Sequence, residues 1–423
     1  MKWVFWIVTC LIAYTYFGYP LFLWVVSKLR FKPVAKGPIE PMVSLIVAAH
    51  NERPNLAQKI ENMELLDYPA QKKEIIISSD GSNDGTNEFL SSIAGGGLRV
   101  AISNERMGKA TALNRAIEMC HGEIVIFTDT RQQIEPSAIR RLVTNFADPT
   151  VGCVSGELEI RRSKSNSSGV GLYWRLEKVI RKLESASGSV MGATGAIYAA
   201  RRELLPRFPA GLILDDVYGP MEVLRKGKRV VFEESAVAWD QPPFSLGVEF
   251  RRKVRTLVGN YQLLRIAPWL LLPNKITGLR FFSHKLLRLL SPWLLIAAYV
   301  CSAVLLPSPF FTTLFALQTV FYLAGTVALL RQWRNRLMKP AATFCLLNAA
   351  ALVALFKYLR YHKNLAQLWQ PTSAPMAQGA SRGIETWRPP SRNQSFLTNE
   401  QASEKAALCG ASRNSRKPED GVE

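Results

Sequence analysis

Between residues 43 and 127, short apolar strands alternate with segments of helical periodicity, and this alternation restricts the fold more than any other feature. In the first intervening segment, Leu56, Ile60, Met63 and Leu66 recur at helical spacing. Strands that alternate with helices along a chain form parallel α/β sheets. The sequence therefore predicts an α/β domain with a mostly parallel sheet, whose first four strands cover residues 43–49, 75–77, 98–102 and 122–127.

Polar residues follow three of these strands directly. Asn51 and Glu52 follow the first strand, Asp80 follows the second, and Asp129 follows the fourth. We expect the second strand to end before Ser78, which places Asp80 in a loop that water reaches. Open α/β sheets bind ligands at the carboxyl ends of their strands. The alternative is an ordinary strand-to-helix turn that is capped by a local side chain.

Hydrophobic runs flank the predicted domain. Residues 3–26 are long enough to cross a bilayer, and no small-residue cleavage site of a signal peptide follows them. Basic residues directly after this run predict that the next domain is cytoplasmic. Together with the hydrophobic runs nearer the C-terminus, this orientation predicts a multi-pass protein of the plasma (inner) membrane. The predicted organisation is a transmembrane helix at 1–30, a cytoplasmic domain at 41–265, an interfacial amphipathic segment at 266–290, two or three hydrophobic helices at 291–361, and a disordered tail at 370–423.

The net charge of +20 is compatible with an anionic membrane surface or with nucleic acid. The sequence contains neither an RNA-binding signature nor the spacing of a zinc finger, so we expect no nucleic-acid partner. The six cysteines form no CxxC pair, and the four histidines have no metal-ligand spacing. Residues 163–171 are serine-rich and predict a loop, whereas 173–185 predict a helix with mixed charge and no catalytic role.

An ordered series of short motifs carries a family resemblance over roughly residues 43–262. Asn51-Glu52 follows the first strand, residues 79–86 read Ser-Asp-Gly-Ser-Asn-Asp-Gly-Thr, and Gly108-Lys109-Ala110 precedes the fourth strand. Together these motifs resemble the membrane-bound family 2 glycosyltransferases, which include the cellulose, hyaluronan and poly-N-acetylglucosamine synthases. The resemblance implies the GT-A fold of nucleotide-diphospho-sugar transferases, with transmembrane helices on both sides of the domain.

The resemblance also implies a nucleotide-sugar site. Asp80 would lie near the uracil, because a carboxylate accepts a hydrogen bond from the imide N–H. Lys109 and Arg255 would contact the diphosphate, for which both cations are suited. The implied residues that bind the nucleotide sugar are Asn51, Glu52, Asp80, Lys109, Asp129 and Arg255.

Asp129 stands at the first aspartate of the Asp-x-Asp motif, which in the family holds a divalent ion on the diphosphate. Magnesium and manganese both bridge phosphates through hard oxygen ligands. Here the second aspartate position is Arg131. Two alternatives follow: either Asp129 binds the metal with help from water, or Arg131 supplies part of the positive charge directly.

By the same resemblance Asp216 is the general base, which takes the proton from the sugar hydroxyl that attacks the anomeric carbon. Its neighbour Asp215 could raise the pKa of Asp216, or could only cap the following helix. Two positions depart from the family's Gln-x-x-Arg-Trp, since Arg252 replaces the Gln and Thr256 replaces the Trp that forms a platform for the acceptor sugar. The implied acceptor region comprises Gly192, Gly195, Asp215, Arg252 and Thr256.

These inferences predict an inverting membrane glycosyltransferase that moves a sugar from a nucleotide sugar, expected to be a UDP-sugar, to a lipid or glycan acceptor. A processive polysaccharide synthase is the alternative within the same class, and Thr256 argues against it because it offers no aromatic face. A transporter is disfavoured because the predicted domain at 41–265 is long and has an ordered series of loops that contain carboxylates. A catalytically inactive scaffold is favoured only by the departures at Arg131, Arg252 and Thr256.

Overall fold

The structure, a computed structural model, describes residues 1–95, 97–160, 170–240, 246–272, 276–331 and 338–362. The predicted disordered tail at 370–423 lies outside these residues. Within them, one eight-stranded sheet has the strand order β3-β2-β1-β4-β7-β6-β8-β5. The strands are β1 Val43–Ala49, β2 Lys73–Asp80, β3 Leu98–Ser103, β4 Ile124–Phe127, β5 Gln133–Ile134, β6 Val151–Ile160, β7 Tyr198–Arg201 and β8 Arg229–Asp240.

The first four strands form the parallel half of the sheet. β2 pairs with β1 and β3, and β1 pairs with β4, all in parallel. The residues of β1, β2 and β4 are almost entirely buried, as expected for strands that are covered on both faces. The parallel arrangement brings the carboxyl ends of these strands to one edge, where the predicted ligand residues follow.

The second half of the sheet contains the antiparallel pairs, so the sheet is mixed, with four parallel and three antiparallel strand pairs in the described residues. β7 pairs antiparallel with β4 and β6, and β5 pairs antiparallel with β8, whereas β6 and β8 are parallel. β7 comes late in the chain and inserts between β4 and β6. Local periodicity does not reveal such an insertion, since strand direction is decided by the pairing partner.

The structure also corrects the predicted end of β2. Ser78, Ser79 and Asp80 have high turn propensity, yet the strand continues through Asp80. Ser79 pairs with Ala49 on one side, and Asp80 pairs with Ser103 on the other. Pairing on both sides overrides the local preference of these residues.

The helices that position the domain lie on both faces of the sheet. Two large apolar clusters of buried residues cover these faces. The predicted loop at 163–171 is wrong at its end, because α7 already begins at Val170, and residues 161–169 lie outside the described part. The helices of the domain are α3 Arg53–Glu64, α4 Thr86–Ile93, α5 Lys109–Glu118, α6 Ala138–Val143, α7 Val170–Ala186, α8 Asp215–Arg225 and α9 Leu246–Ile266.

Four helices in the described residues are long and apolar enough to cross a membrane. The first consists of α1 Lys2–Ala13 and α2 Tyr19–Leu29, joined by a π-helical turn. The second, Thr277–Val304, contains most of the segment expected to be interfacial, which continues into the next hydrophobic run without a break. It consists of α10 Ile276–Phe281, a π-helical turn at Phe282–Leu286 and α11 Leu287–Val304; α12 Pro309–Leu330 and α13 Lys339–Tyr361 are the last two helices.

Candidate active site

The candidate base, Asp216, lies in the first turn of α8, directly after Asp215. Acidic groups are favoured there by the positive end of the helix dipole. Asp215 is buried at 3% exposure, whereas Asp216 is partly exposed. Asp216 is therefore the carboxylate of this pair that a substrate can reach.

A proline in α8 ties the base to a neighbouring loop. Pro220 has no backbone N–H, so the carbonyl of Asp216, four residues earlier, lacks its normal helical donor. The backbone N–H of Ala193 donates to this carbonyl instead, with an N–O distance of 2.7 Å. The Asp216 carbonyl oxygen is thus free to accept a hydrogen bond from the loop that contains Gly192 and Gly195, the two glycines predicted to lie in the acceptor-sugar region.

That loop, residues 191–196, is defined here as the acceptor loop. Gly192 has a φ of +118°, which side-chain-bearing residues rarely adopt. Gly195 donates its N–H to Asp216 Oδ2 at 3.1 Å. A methyl group added at Gly195 would lie 3.4 Å from Asp216 Oδ2 and 3.7 Å from Asp129 Oδ2. The absence of a side chain at Gly195 therefore leaves space between the two carboxylates.

Lys109 joins the two sides of the site. It opens α5, and its Nζ lies 2.8 Å from Asp129 Oδ1 and 3.2 Å from Asp215 Oδ1. The Asp129 side chain is 41% exposed, so it remains accessible beside this ion pair. The sequence predicted Lys109 and Asp129 as partners of one diphosphate, and the structure brings them into direct contact.

Charge and burial set the pKa values of these groups. Burial, together with the charges of Asp215 and Asp129, raises the pKa of Asp216 to about 6, although Lys109 and Lys285 oppose the shift. For Asp129, burial raises the pKa, but Lys109 and two arginines outweigh it and lower the pKa overall. Asp216 is therefore poised to accept a proton near neutral pH, whereas Asp129 stays ionised.

Two arginines act on Asp129 by their charge. Arg255 and Arg131, of which only Arg131 departs from the family's motifs, both stabilise its negative charge. Burial lowers the pKa of Arg252, and the charges of Arg131 and Arg255 lower it further, which shows that the three guanidinium groups share one region. The structure thus brings together the cations of two distant segments, β4–β5 and α9. Their combined positive charge suits a diphosphate.

Asn51 and Glu52 lie at the carboxyl end of β1 and organise the neighbouring loop. Asn51 has a φ of +54°, and its side-chain oxygen accepts a hydrogen bond from the Asn83 N–H at 2.9 Å. Glu52 accepts a hydrogen bond from the Asn55 side chain at 2.6 Å. Burial raises the pKa of Glu52, and the charges of Arg131 and Asp129 act on it as well. Glu52 therefore faces the same site as Asp129.

The expectation that Asp80 lies in a loop open to water is wrong. Asp80 ends β2 and is 1% exposed. Its carboxylate accepts hydrogen bonds from the backbone N–H of Met107 at 2.9 Å and of Gly108 at 2.7 Å, and from the Arg115 guanidinium at 3.3 Å. Asp80 thus holds the chain that leads into Lys109, a role that local sequence does not reveal.

Two residues further along α9, Gly259 and Gln262, hold the segment before the candidate base. The Gln262 side chain accepts a hydrogen bond from the Ile213 N–H and donates one to the Gly211 carbonyl, both at 2.9 Å. Gly259 lies so close to Leu214 that an added Cβ would be 2.5 Å from its Cγ. α9 therefore packs directly on the residues that lead into Asp215 and Asp216.

Comparisons with known proteins bear on the family and the fold of this chain. The family model described as glycosyl transferase family 2 matches residues 44–207. Residues 44–207 are a family 2 glycosyltransferase domain. The curated relatives include poly-beta-1,6-N-acetyl-D-glucosamine synthases of Staphylococcus aureus strain COL, 25% identical over 268 residues (58% of this chain and 65% of the relative), and of Staphylococcus epidermidis, 23% identical over 279 residues (61% and 67%).

Among solved structures, this chain is similar to a mannosyltransferase from Pyrobaculum calidifontis in complex with GDP-Man and Mn2+. The TM-score is 0.62 at 26% identity, and the match covers 84% of this chain and 99% of the mannosyltransferase. The family 2 domain accordingly has the GT-A fold. The likeness extends beyond residues 41–265, which make up only about half of the 423 residues.

A buried lysine supports the metal-motif loop of the family 2 domain and was missed by sequence reasoning. Lys59 is 0% exposed, and its Nζ donates to Thr128 Oγ1 at 2.8 Å and to the Gln132 carbonyl at 2.7 Å. Burial lowers the pKa of Lys59 to about 7, although Asp129 opposes the shift. A lysine in a helical sequence predicts only a solvent-exposed side chain. The role of Lys59 therefore becomes visible only from the packing of α3 on the sheet.

Thr256 stands where the resemblance implied an aromatic platform for the acceptor sugar. The Thr256 hydroxyl is exposed and donates to the carbonyl of Arg252 on its own helix, at 3.1 Å. Tyr261, an aromatic residue five positions further along α9, is 9% exposed and stacks on Tyr358 with ring centroids 5.7 Å apart. Tyr261 is therefore occupied by packing against α13.

Proposed function

We propose that the chain is an inverting membrane glycosyltransferase that transfers a sugar from a nucleotide sugar to a lipid or glycan acceptor. The observation that carries this proposal is the position of Asp216, which lies across the space at Gly195 from Asp129. A carboxylate with a raised pKa thus stands beside a cation-lined site that suits a diphosphate.

The reaction would be a single displacement. Asp216 takes the proton of an acceptor hydroxyl as that oxygen attacks the anomeric carbon of the donor sugar. The bond between the anomeric carbon and the diphosphate oxygen breaks, and the nucleoside diphosphate leaves. Attack from the face opposite the leaving group inverts the anomeric configuration. Lys109 and Arg255 would stabilise the negative charge that develops on the diphosphate.

A divalent ion fits this site through one protein carboxylate. The described residues contain no group of three His, Cys, Asp or Glu side chains that could hold a metal. Magnesium and manganese are nonetheless often bound by one or two carboxylates together with substrate phosphates and water. Asp129 would hold the ion, which would supply positive charge at the diphosphate when bound. Arg131 would supply part of that charge as a fixed cation.

The donor nucleotide is proposed as UDP or GDP. The resemblance favours a UDP-sugar, and the similar mannosyltransferase was solved with GDP-Man. Asp80 would read uracil only if its carboxylate accepted a further hydrogen bond, because three protein groups already donate to it. Base specificity therefore rests on a direct comparison of the two nucleotides.

The acceptor is proposed to receive one or a few sugars. Thr256 presents no aromatic face on which a growing chain could stack and slide. The second candidate is a processive polysaccharide synthase, which is favoured by the similarity to the poly-N-acetylglucosamine synthases. The match covers 65% of the first relative's length. Whether this chain also makes a long polymer is therefore decided by measuring the size of its product.

The four apolar helices are proposed to span the membrane, with the family 2 domain on the cytoplasmic side. The basic residues that follow the first helix support this orientation. A reporter that is active only in the cytoplasm, fused after Gly247, would be active. An expressed but inactive fusion would place the domain on the other side.

The decisive experiment is transfer by the purified full chain in lipid nanodiscs. Radiolabelled UDP-N-acetylglucosamine and GDP-mannose are each supplied together with native membrane lipids, and products are separated by size. We expect label in a short, discrete product and release of the matching nucleoside diphosphate. High polymer from few starts would favour the synthase alternative, and absence of both transfer and nucleotide binding would favour an inactive scaffold.

A further inference from the structure

A buried polar cluster joins two of the apolar helices to the catalytic domain. Its centre is Glu184 on α7, which is 0% exposed. Glu184 Oε1 accepts hydrogen bonds from the Tyr19 hydroxyl at 2.5 Å and from His284 Nδ1 at 2.9 Å. His284 Nε2 lies 3.0 Å from Glu177 Oε1, and Arg288 donates to Glu177 Oε2 at 2.6 Å. We call these five residues and Arg280 the Glu184 cluster.

The sequence spacing of the cluster explains why its members meet. Arg280, His284 and Arg288 recur at intervals of four, so they share one face of the second apolar helix. Glu177 and Glu184 are seven residues apart, which is two turns of α7. A cationic face therefore meets an acidic face. The sequence contained this signal, but the two faces are about a hundred residues apart in the chain.

His284 connects the two acidic residues of α7. Its Nδ1 lies 2.9 Å from a Glu184 carboxylate oxygen, and its Nε2 lies 3.0 Å from a Glu177 carboxylate oxygen. Burial raises the pKa of Glu184, but the charge of His284 and the hydrogen bonds from His284 and Tyr19 outweigh it and lower the pKa overall. The cluster is thus a set of buried charges that compensate one another.

Such a cluster is a costly way to attach a helix. Replacing buried ion pairs with well-packed apolar residues is often neutral or stabilising, whereas the loss of one partner is strongly destabilising. Ionisable residues in apolar helices usually mark a functional site. Besides holding the two apolar helices against α7, the Glu184 cluster fixes their position relative to α7, because its hydrogen bonds are directional.

Hydrogen bonds connect the Glu184 cluster to the acceptor loop. Arg280 donates to the carbonyls of Ser187 at 3.1 Å and Ser189 at 2.8 Å. Glu184 Oε2 accepts the Met191 N–H at 3.2 Å, at the first residue of the acceptor loop. The same loop then donates to Asp216 through Ala193 and Gly195. A chain of short contacts therefore runs from the apolar helices to the candidate base.

We propose that Tyr19 and His284, which act through Glu184, and Arg280, which binds the carbonyls of Ser187 and Ser189 directly, are positioning residues that fix the acceptor loop against Asp216. The apolar helices thereby set the geometry at which an acceptor hydroxyl meets the base. The proposal rests on the proposed function of Asp216. The same helix also brings Lys285 close enough for its charge to act on Asp216.

The test compares matched variants of the full chain in nanodiscs. Tyr19→Phe removes one hydroxyl from the cluster, and Tyr14→Phe removes one from the same apolar helix, where it hydrogen-bonds with Ser283 outside the cluster. Glu184→Gln and His284→Gln alter the centre of the cluster. His362→Gln is the histidine control, since its Nδ1 lies 2.9 Å from the Leu359 carbonyl at the end of α13.

We expect Tyr19→Phe, Glu184→Gln and His284→Gln to lower kcat by about tenfold to a hundredfold, the usual effect of a misplacement near 1 Å. Affinity for UDP and GDP, measured by calorimetry, should change less than about twofold, because the hydrogen bonds of the cluster lead to the acceptor loop, and the proposed phosphate-binding residues Lys109 and Arg255 lie on other elements. The acid limb of the pH–rate profile should move to higher pH, because a displaced Gly195 no longer stabilises ionised Asp216. The two control variants should match the wild type.

Three outcomes distinguish a positioning role of the Glu184 cluster from a role that only anchors the helices, and test the assignment of Asp216 as the base. Wild-type kcat and pH profile in all three cluster variants, alongside an inactive Asp216→Asn, would overturn the positioning proposal alone. An active Asp216→Asn would overturn the base assignment on which it rests. A parallel loss of melting temperature, nucleotide affinity and kcat would show that the cluster only anchors the helices, which also overturns the proposal.

Discussion

The N–H of Gly195 donates a hydrogen bond to Asp216 Oδ2 across 3.1 Å, and a Cβ added at Gly195 would lie 3.4 Å from Asp216 Oδ2 and 3.7 Å from Asp129 Oδ2. The contact joins the acceptor loop to the candidate base. It also limits what can occupy the space between the two carboxylates, which is where the reacting groups of donor and acceptor would meet.

Gly195→Ala is expected to lower turnover by roughly tenfold or more while the protein stays folded. The added methyl group would make ordinary contacts with Asp216 and Asp129, and the backbone φ of Gly195 lies outside the left-handed region. Transfer rate and melting temperature are measured together. Gly192→Ala is the contrast: its φ of +118° strains any side chain, so that variant should lose stability. Wild-type turnover in Gly195→Ala would show that the reacting groups do not use this space.

Asp216→Asn is expected to reduce turnover by roughly a hundredfold or more and to leave nucleotide affinity unchanged. In the wild type, a base with a pKa of about 6 must be ionised, so kcat should fall as the pH drops below about 6. Because Asp215 raises the pKa of Asp216, Asp215→Asn should move this acid limb to lower pH. An unshifted limb in Asp215→Asn would contradict the assignment of the limb to Asp216.

Arg131→Asp is expected to make nucleotide binding depend strongly on a divalent ion. In the wild type, chelation of metal should weaken UDP or GDP binding only modestly, because Arg131 stays near Asp129 as a fixed cation. In the variant, two carboxylates repel the diphosphate, and binding should weaken by roughly a further tenfold until Mn2+ is restored. Calorimetry with and without chelator measures this. Arg131→Met is the control: it leaves Asp129 as the single carboxylate, so metal should restore its binding less than it restores binding by Arg131→Asp.

Asp80→Ala is expected to destabilise the fold as well as weaken nucleotide binding. Its carboxylate is the acceptor for the Met107 and Gly108 N–H groups, and each donor left unsatisfied costs about 1–3 kcal/mol. The melting temperature should therefore fall. Asp67→Ala is the matched control, because Asp67 is 60% exposed and pairs with Arg140 at the surface. Equal melting temperatures for both variants would show that Asp80 has no structural role.

Sequence periodicity was sufficient for the central part of the fold. Buried parallel strands must be continuous apolar runs, and the four runs between residues 43 and 127 became β1 to β4. The motifs that follow β3 and β4 also predicted that Lys109 and Asp129 contact one diphosphate. The structure brings these two side chains within 2.8 Å of each other, and their role in binding stays a prediction. Both inferences depend on patterns that are local in the chain.

The tertiary structure decided what depends on distant partners. The sheet is mixed because β7 inserts between β4 and β6, and Asp80 is buried because β2 is paired on both sides. The Glu184 cluster exists because two charged helix faces meet across the chain, although neither face alone indicates its partner. A sequence determines which groups are available and at what spacing, but burial and pairing, which set their charges and roles, arise only when distant segments pack together.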